Sequence, residues 1–346
     1  MRPWHFLWLS LLLVGCSRAP APPRDAVEAG LAYLRGCEAA DGGWHSSRYK
    51  DMGQGPELTP FVFKALSFGA GQKPERALAY LQGQRPTPEL IYPVYTSAGF
   101  LLNGLDEDGR WSGHLLSFQA TEALGYTPED PQYGGWSYAL EPPKKPEQGE
   151  LPALSHSNLP STLFALGGLS VSKKLDADTA AKALKFVQRC QNYPDGDGGF
   201  CASASDEAMN KAGEFKSYGS ASSDGLRALL RCGSKPDDPR VVAARGWVDS
   251  HLSSEVHPGD FPNGRYYDRD SLYFYYCWST AHALNGLSRA GVELNEAEKS
   301  WLKAVRLKMI GLQKPDGSWS NSASATREDD PLVATPMALA VLVLSR

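Results

Sequence analysis

Two kinds of apolar pattern alternate along this chain. The segments "AGLAYLRGCE" (29–38), "RALAYLQGQR" (76–85), "KALKFVQRCQ" (182–191) and "AARGWVDSHL" (243–252) are apolar on one face at helical spacing, with an aromatic recurring at Tyr33, Tyr80, Phe186 and Trp247. Other stretches are apolar nearly all round: "PELTPFVFKALSFG" (56–69), "YPVYTSAGFLLNGL" (92–105), "HSNLPSTLFALGGL" (156–169), "SYGSASSDGLRALL" (217–230), "DSLYFYYCWSTAHALNGL" (270–287) and "PLVATPMALAVLVLS" (331–345). A helix with one apolar face covers a core, whereas one apolar all round is enclosed. The alternation predicts an outer layer of amphipathic helices around an inner layer of buried ones.

Glycine-rich turns ending in an aromatic punctuate the pattern at "DGGW" (41–44), "YGGW" (133–136), "DGDGGF" (195–200), "PGDF" (258–261) and "DGSW" (316–319). The repeating unit is about fifty to sixty residues, the length of a helix pair with its connections. Six such pairs exhaust the chain, and stacked pairs curve. The expected fold is an all-α (α/α)6 toroid over 26–346, with the inner ring lining a central cavity. An open solenoid is the alternative, and closure is preferred because neither end carries the polar capping unit an open array needs.

The repeat residues resemble those of the squalene–hopene cyclases and protein prenyltransferase β-subunits. Lys182-Ala183, Phe186-Val187 and Gln191 match the first part of their QW motif, and Gln313, Gly317 and Trp319 match the second. In the first unit Gly30, Tyr33-Leu34, Gly42 and Trp44 match, with Glu38 in the place of the glutamine. Stretches such as "QYGGWSYAL" and "DDPRVVAARGWV" also resemble bacterial single-toroid squalene-cyclase-like proteins. The motif is a fastener and implies the fold; it says nothing about catalysis.

Composition limits the function further. The 346 residues carry a formal net charge of −4 with no long run of one sign, which excludes an electrostatic footprint for nucleic acid. The N-terminus has a basic start at Arg2, a short apolar core from Phe6 to Val14, and then Leu13-Val14-Gly15-Cys16, which resembles a bacterial lipobox. The reading is a signal peptide at 1–15, acylation of Cys16, and an extended tether at 16–25. The protein is then expected outside the cytoplasm, anchored to a membrane surface without spanning it. Of the six cysteines, five remain after Cys16. In a compartment that permits disulfides, Cys190 and Cys201 are the expected bridge. No zinc-binding spacing occurs, and no cofactor is implied.

"CQNYPDGDGGFC" (190–201) also looks like a calcium loop, but Gly199 stands where an oxygen ligand belongs and Asp206 where the closing glutamate should be. The family's chemistry is also incomplete. Cyclases of this group carry Asp-x-Asp-Asp at the start of an inner helix, where this chain reads Ala221-Ser222-Ser223-Asp224, keeping one aspartate. "DADT" (176–179) precedes an outer helix, where Asp178 and Thr179 are placed for capping. The prenyltransferase zinc set needs aspartate, cysteine two residues later, and a histidine on the next inner helix. Here Asp270 and Cys277 are too far apart, and no histidine follows Asn295. His282 and His251 read as packing or surface residues.

What survives is a set near inner-helix starts. Asp224 and Asp270 are the candidate catalytic carboxylates, and His156, Tyr218, Tyr273 and Tyr276 are candidate ligand-binding residues. Asp224 within an apolar helix needs a partner or a purpose, and Arg227, one turn on, is the available partner. "YFYYCW" (273–278) is either cavity wall or core. The expected function is to handle an apolar, isoprenoid-like small molecule. The alternatives are a non-catalytic toroid binding another envelope protein, or a carbohydrate-active toroid working through Asp224 and Asp270.

Overall fold

The computed structural model describes residues 25–69 and 74–346. The signal segment 1–15, Cys16 and all of the tether except Asp25 lie outside the described residues. Thirteen α-helices occur among those described: α1 (Ala26–Gly36), α2 (Thr59–Leu66), α3 (Glu75–Gly83), α4 (Pro93–Leu102), α5 (Arg110–Leu116), α6 (Leu159–Val171), α7 (Ala177–Arg189), α8 (Gly219–Arg231), α9 (Pro239–Ser250), α10 (Tyr266–Asp270), α11 (Tyr273–Arg289), α12 (Glu296–Leu312) and α13 (Pro331–Leu344). The inner ring runs α2, α4, α6, α8, α11, α13 and back to α2, each packed on the next. Around it stand α1, α3, α5, α7, α9 and α12, while α10 is a short turn leading into α11. The ring is closed, and the toroid expected from the repeats is the observed architecture.

Helix starts are written in the sequence. The four inner helices α2, α4, α6 and α13 begin with a proline in the first turn, where its missing N–H costs nothing. The outer helices α1, α7, α9 and α12 use polar caps: Asp176 accepts from the Thr179 amide at 2.7 Å, and Asn295 with Glu298 forms a capping box on α12. In "DADT" the cap is therefore Asp176, and Asp178 instead pairs with Lys182 one turn on at 2.8 Å.

The turns fasten three helices at a time. In the last unit the Gln313 side-chain amide donates to the Gly317 carbonyl at 2.9 Å and to the Ala26 carbonyl in the first turn of α1 at 2.8 Å. The Trp319 indole N–H donates at 2.8 Å to Met309, one of the last carbonyls of α12, which lack partners within the helix. Its backbone N–H donates to Thr335 Oγ1 on α13 at 3.1 Å. Gln191 repeats the bridge to Gly198 and to Arg240 of α9, and Gln119 to Gly134 and to Thr179 of α7. Trp44 and Trp136 repeat the indole bond, to Leu34 and Leu115, and the backbone bond, to Thr59 and Thr162. Phe200 keeps only the backbone bond, to Ser222.

Three expectations need correction. "PGDF" is not a fastener, because Gly259 pairs with Tyr218 at the start of α8 and Phe261 packs beside that ring. The joint from α9 to α12 is made instead by Arg245, which donates to buried Glu298 at 2.7 and 2.8 Å. In the first unit Glu38 does not take the role of glutamine directly but holds Arg76 of α3 at 3.1 Å. Finally, Cys190 and Cys201 are free thiols. The Cys201 amide donates to the Cys190 carbonyl at 3.0 Å, and its thiol lies 3.4 Å from the carbonyls of Cys190 and Ser203, so backbone pairing holds this turn without a disulfide.

The closing joint can be tested at glycine. Gly317 has φ +92°, and a Cβ there would stand 2.4 Å from the Ala29 carbonyl of α1, whereas Gly104 has φ +73° with nothing within 4 Å. Gly317→Ala is expected to cost about 2 kcal/mol more than Gly104→Ala, because the backbone strain is shared and only the first pushes α1 away. Urea denaturation of both variants measures this, and equal losses would show that the joint does not bear on stability.

Candidate functional site

Where α8 and α11 meet, polar and aromatic side chains form a ladder toward the ring axis. Residues three or four apart share a helix face, so Asp224, Arg227 and Arg231 form one stripe on α8, while Tyr275, Trp278, Ser279 and His282 form another on α11. Asp224 is 0% exposed. It accepts from the Tyr275 hydroxyl at 2.7 Å and from the Ser279 hydroxyl, and Arg227 Nη1 lies 3.6 Å from it. Arg227 also donates to Ser279 at 3.0 Å, and its guanidinium sits 4.4 Å above the Trp278 ring.

Burial sets the electrostatics. It pushes the Asp224 carboxyl up to about 6, against the opposing charge of Arg227 and the two hydroxyl donors. Burial likewise pulls Arg227 below the usual guanidinium value, outweighing Asp224. The arrangement holds a carboxylate that gains a proton in weak acid.

Aromatic rings meet across the axis beside this pair. The Phe164 ring of α6 lies 5.5 Å from Trp278 of α11 and 5.7 Å from Phe61 of α2, although neither helix neighbours α6 in the ring. Tyr95 of α4 packs on Phe164 at 4.5 Å and stacks on Tyr138 at 5.8 Å, donating to the Tyr138 hydroxyl at 3.3 Å. Phe61, Tyr95, Tyr138, Phe164, Tyr275 and Trp278 all keep accessible surface, although they belong to the inner part of the toroid. Centroid separations of 4.5–7 Å are those of favourable ring pairs, so Phe61, Phe164 and Trp278 form a layer across the axis.

The residues expected from sequence divide into two groups, and only Asp224 stands at this centre. Asp270 ends α10, exposed and paired with Arg269 at 2.7 Å, so it shares no site with Asp224 and the carboxylate pair of a glycosidase is not assembled. Tyr218 is buried at the start of α8, edge-on to His257 and Phe261. Tyr273 and Tyr276 point away from the axis and bond the outer loop through the carbonyls of Ser254 at 2.6 Å and Ser253 at 3.1 Å. His156 lies in the loop before α6, 3.4 Å from both Gln132 and Ser205. The centre-facing residues of α11 are thus Tyr275, Trp278, Ser279 and His282, one step round the helix from the expected ones. His251 stacks on Trp247 at the outer wall, while His282 packs at 5.0 Å on Trp278.

The fourth turn has its own chemistry. Asp197 accepts from the Gly199 amide, the Ser217 hydroxyl and the Trp247 indole at 2.7–3.0 Å, so its carboxylate organises the turn. A groove of about 1000 Å³ runs along this outer wall past Tyr193, Asp195, Phe215 and Trp247, remote from Asp224.

No protein-family model matches the sequence, and no curated protein matches it. Solved structures do share the fold. The type II terpene cyclase MstE from Scytonema superposes with a TM-score of 0.56 at 13% identity, over 92% of this chain and 96% of that one. A variant of MstE in complex with its substrate geranylgeranyl dihydroxybenzoate gives 0.57 at 12%, over 92% and 96%. The Candida albicans protein geranylgeranyltransferase-I complexed with GGPP gives 0.54 at 13%, over 92% and 90%. The chain therefore has the toroid fold of terpene cyclases and prenyltransferases, and identities this low speak to fold alone.

The buried carboxylate makes a pH prediction. A carboxyl raised from 3.8 to about 6 by folding binds its proton more tightly when folded, so its contribution to stability falls as pH rises through that window. Wild-type minus Asp224→Asn stability, measured by urea melts from pH 4 to 7, is expected to decline between about pH 4 and 6 and then level off. A difference independent of pH would show that Asp224 does not titrate there. Taking the difference cancels Glu328 and Asp249, which burial raises to about 7 and about 6.

Proposed function

We propose that the toroid binds a molecule with an apolar, prenyl-like chain in its aromatic centre, and that acylated Cys16 holds it at the membrane surface from which such molecules come. The observation that carries the reading is the convergence of Phe61, Tyr95, Phe164, Tyr275 and Trp278 from four inner helices on the axis, beside one buried carboxylate. Apolar walls with few convergent polar groups are the usual make-up of a small-molecule site. The isoprenoid ligands of the structurally similar cyclase and transferase support this choice of chain.

The chemistry at Asp224 argues against alkene protonation. Burial raises its carboxyl to about 6 even though two hydroxyls and a guanidinium favour the charged form, which makes it a weaker acid than a free aspartate, whereas a cyclase acid must be unusually willing to release its proton. The neighbouring positions are committed to structure: Ser222 Oγ accepts from the Phe200 amide, and Ser223 bonds Thr280 at 2.8 Å. Asp224 is suited instead to orient a ligand or to stabilise positive charge beside the tyrosines. A second reading, docking to another envelope protein, has the exposed Leu307 and Ile310, neighbours on one face of α12, in its favour.

Geranylgeraniol titrated against tryptophan fluorescence tests the first reading. Saturable binding is expected, about tenfold or more weaker in Trp278→Ala and unchanged in the outward-facing Tyr273→Phe. The absence of saturation, or the same loss in both variants, would remove the proposal. Anchoring has its own test: Cys16→Ser should move the protein from the membrane fraction to the soluble one, and a variant still in the membrane fraction would rule out acylation as the anchor.

A further inference from the structure

Further along α8 and α11 from Asp224 the ladder ends in Arg231 and His282. Arg231 closes α8 one turn beyond Arg227, and His282 lies one turn beyond Trp278 on α11. Both are only partly exposed. Among the described residues the Arg231 guanidinium makes no hydrogen bond and no ion pair, and His282 has only its ring contact with Trp278 at 5.0 Å. Five N–H donors on a partly exposed guanidinium are left without a protein acceptor, and since none of its nitrogens is sealed from solvent they are open to water or to an anion.

The surroundings keep this position open and positive. Gly167 of α6 faces Arg231, and a Cβ there would stand 3.2 Å from Nη1, so α6 is bare where the guanidinium approaches. The one carboxylate on α8, Asp224, is already engaged by Tyr275, Ser279 and Arg227. Burial and then the charges of Arg227, Arg231 and Arg289 keep His282 well below its usual value, so it is neutral and able to donate one N–H. Burial and Arg227 likewise pull Arg231 down to about 10, still cationic at neutral pH. The carboxyl side of a helix end would welcome a cation, but Arg231 bonds none of its carbonyls.

We propose that Arg231 and His282, with Arg227 behind them, form a binding site for a small oxyanion inside the ring. A planar guanidinium fork presents paired donors matched to carboxylate or phosphate, and the imidazole adds a third direction. Arg227, over the Trp278 ring, is shared with the Asp224 centre, and the proposal does not depend on the isoprenoid reading.

Calorimetric titration of the full chain with inorganic phosphate, and separately with acetate at matched ionic strength, tests this and tells the two anion classes apart. One-to-one binding of at least one of them is expected, with a matching rise in melting temperature. Arg231→Gln should weaken it at least tenfold, Arg231→Lys should keep part of it, and His282→Gln should weaken it less. Arg48→Gln, which breaks an exposed pair with Asp329, should leave it unchanged. Should Arg231→Gln fail to fold, the comparison of Arg231→Lys and His282→Gln with Arg48→Gln decides. No saturable binding of either anion, or an equal loss in Arg48→Gln, would overturn the proposal.

Discussion

A glutamine amide at the end of an outer helix has two N–H donors, and here both are spent on backbone carbonyls: one in its own turn, one in the first turn of the next outer helix. Through Gln119, Gln191 and Gln313 this bridge sets three of the steps between outer helices, and ion pairs of Arg76 with Glu38 and of Arg245 with Glu298 stand at two others. The angle of that step decides whether six helix pairs spread into a solenoid or close. At Gln313 the next helix is α1, so the same bond that makes the steps from α5 to α7 and from α7 to α9 also joins α12 to α1. The tryptophan adds to it by satisfying a terminal carbonyl of its helix, and the threonine on the inner helix ties the two layers together.

Closure has a consequence at the axis. Inner helices enclosed on their outer side by a full ring have one face left, and that face meets five others instead of solvent. Most of it is filled by rings, as ordinary packing demands. Asp224 and Arg227 are the exception, and their burial is tolerated because hydroxyls from α11 and the face of Trp278 complete their contacts. Arg231, one turn further, has no such completion. A cation that the fold leaves without a protein partner is where an anion contributes most.

The architecture was legible because its signal is repeated. Alternating amphipathic and apolar helices, with glycine turns ending in an aromatic, together pointed to a ring of helix pairs. The centre was less legible because α11 is enclosed on every side. Its outward residues Tyr273 and Tyr276 are as aromatic as its inward residues Tyr275 and Trp278, so polarity does not mark the face. The usable signal was the match of two stripes, Asp224-Arg227-Arg231 with Tyr275-Trp278-His282, which shows only when the two helices are set side by side. Gln119 was missed because fourteen residues of loop separate it from its turn glycine, unlike Gln313. α5 and α12 carried no recognised repeat, since one is only seven residues long and the other lacks the shared aromatic position. "PGDF" copied the composition of a fastener without a glutamine to make the bridge. Cys190 and Cys201 were expected to form a disulfide, whereas both are free thiols and the bond between them is a backbone one.

The claim on which the rest stands is that α1 is held by the end of the chain as firmly as any internal helix is held by its neighbour. Hydrogen–deuterium exchange along the folded protein measures that directly. A closed ring predicts that the interior amides of α1 exchange as slowly as those of α13, through the same cooperative opening. Fast exchange in α1, with α13 still protected, would mean that the first helix frays on its own and that the six pairs form an open array.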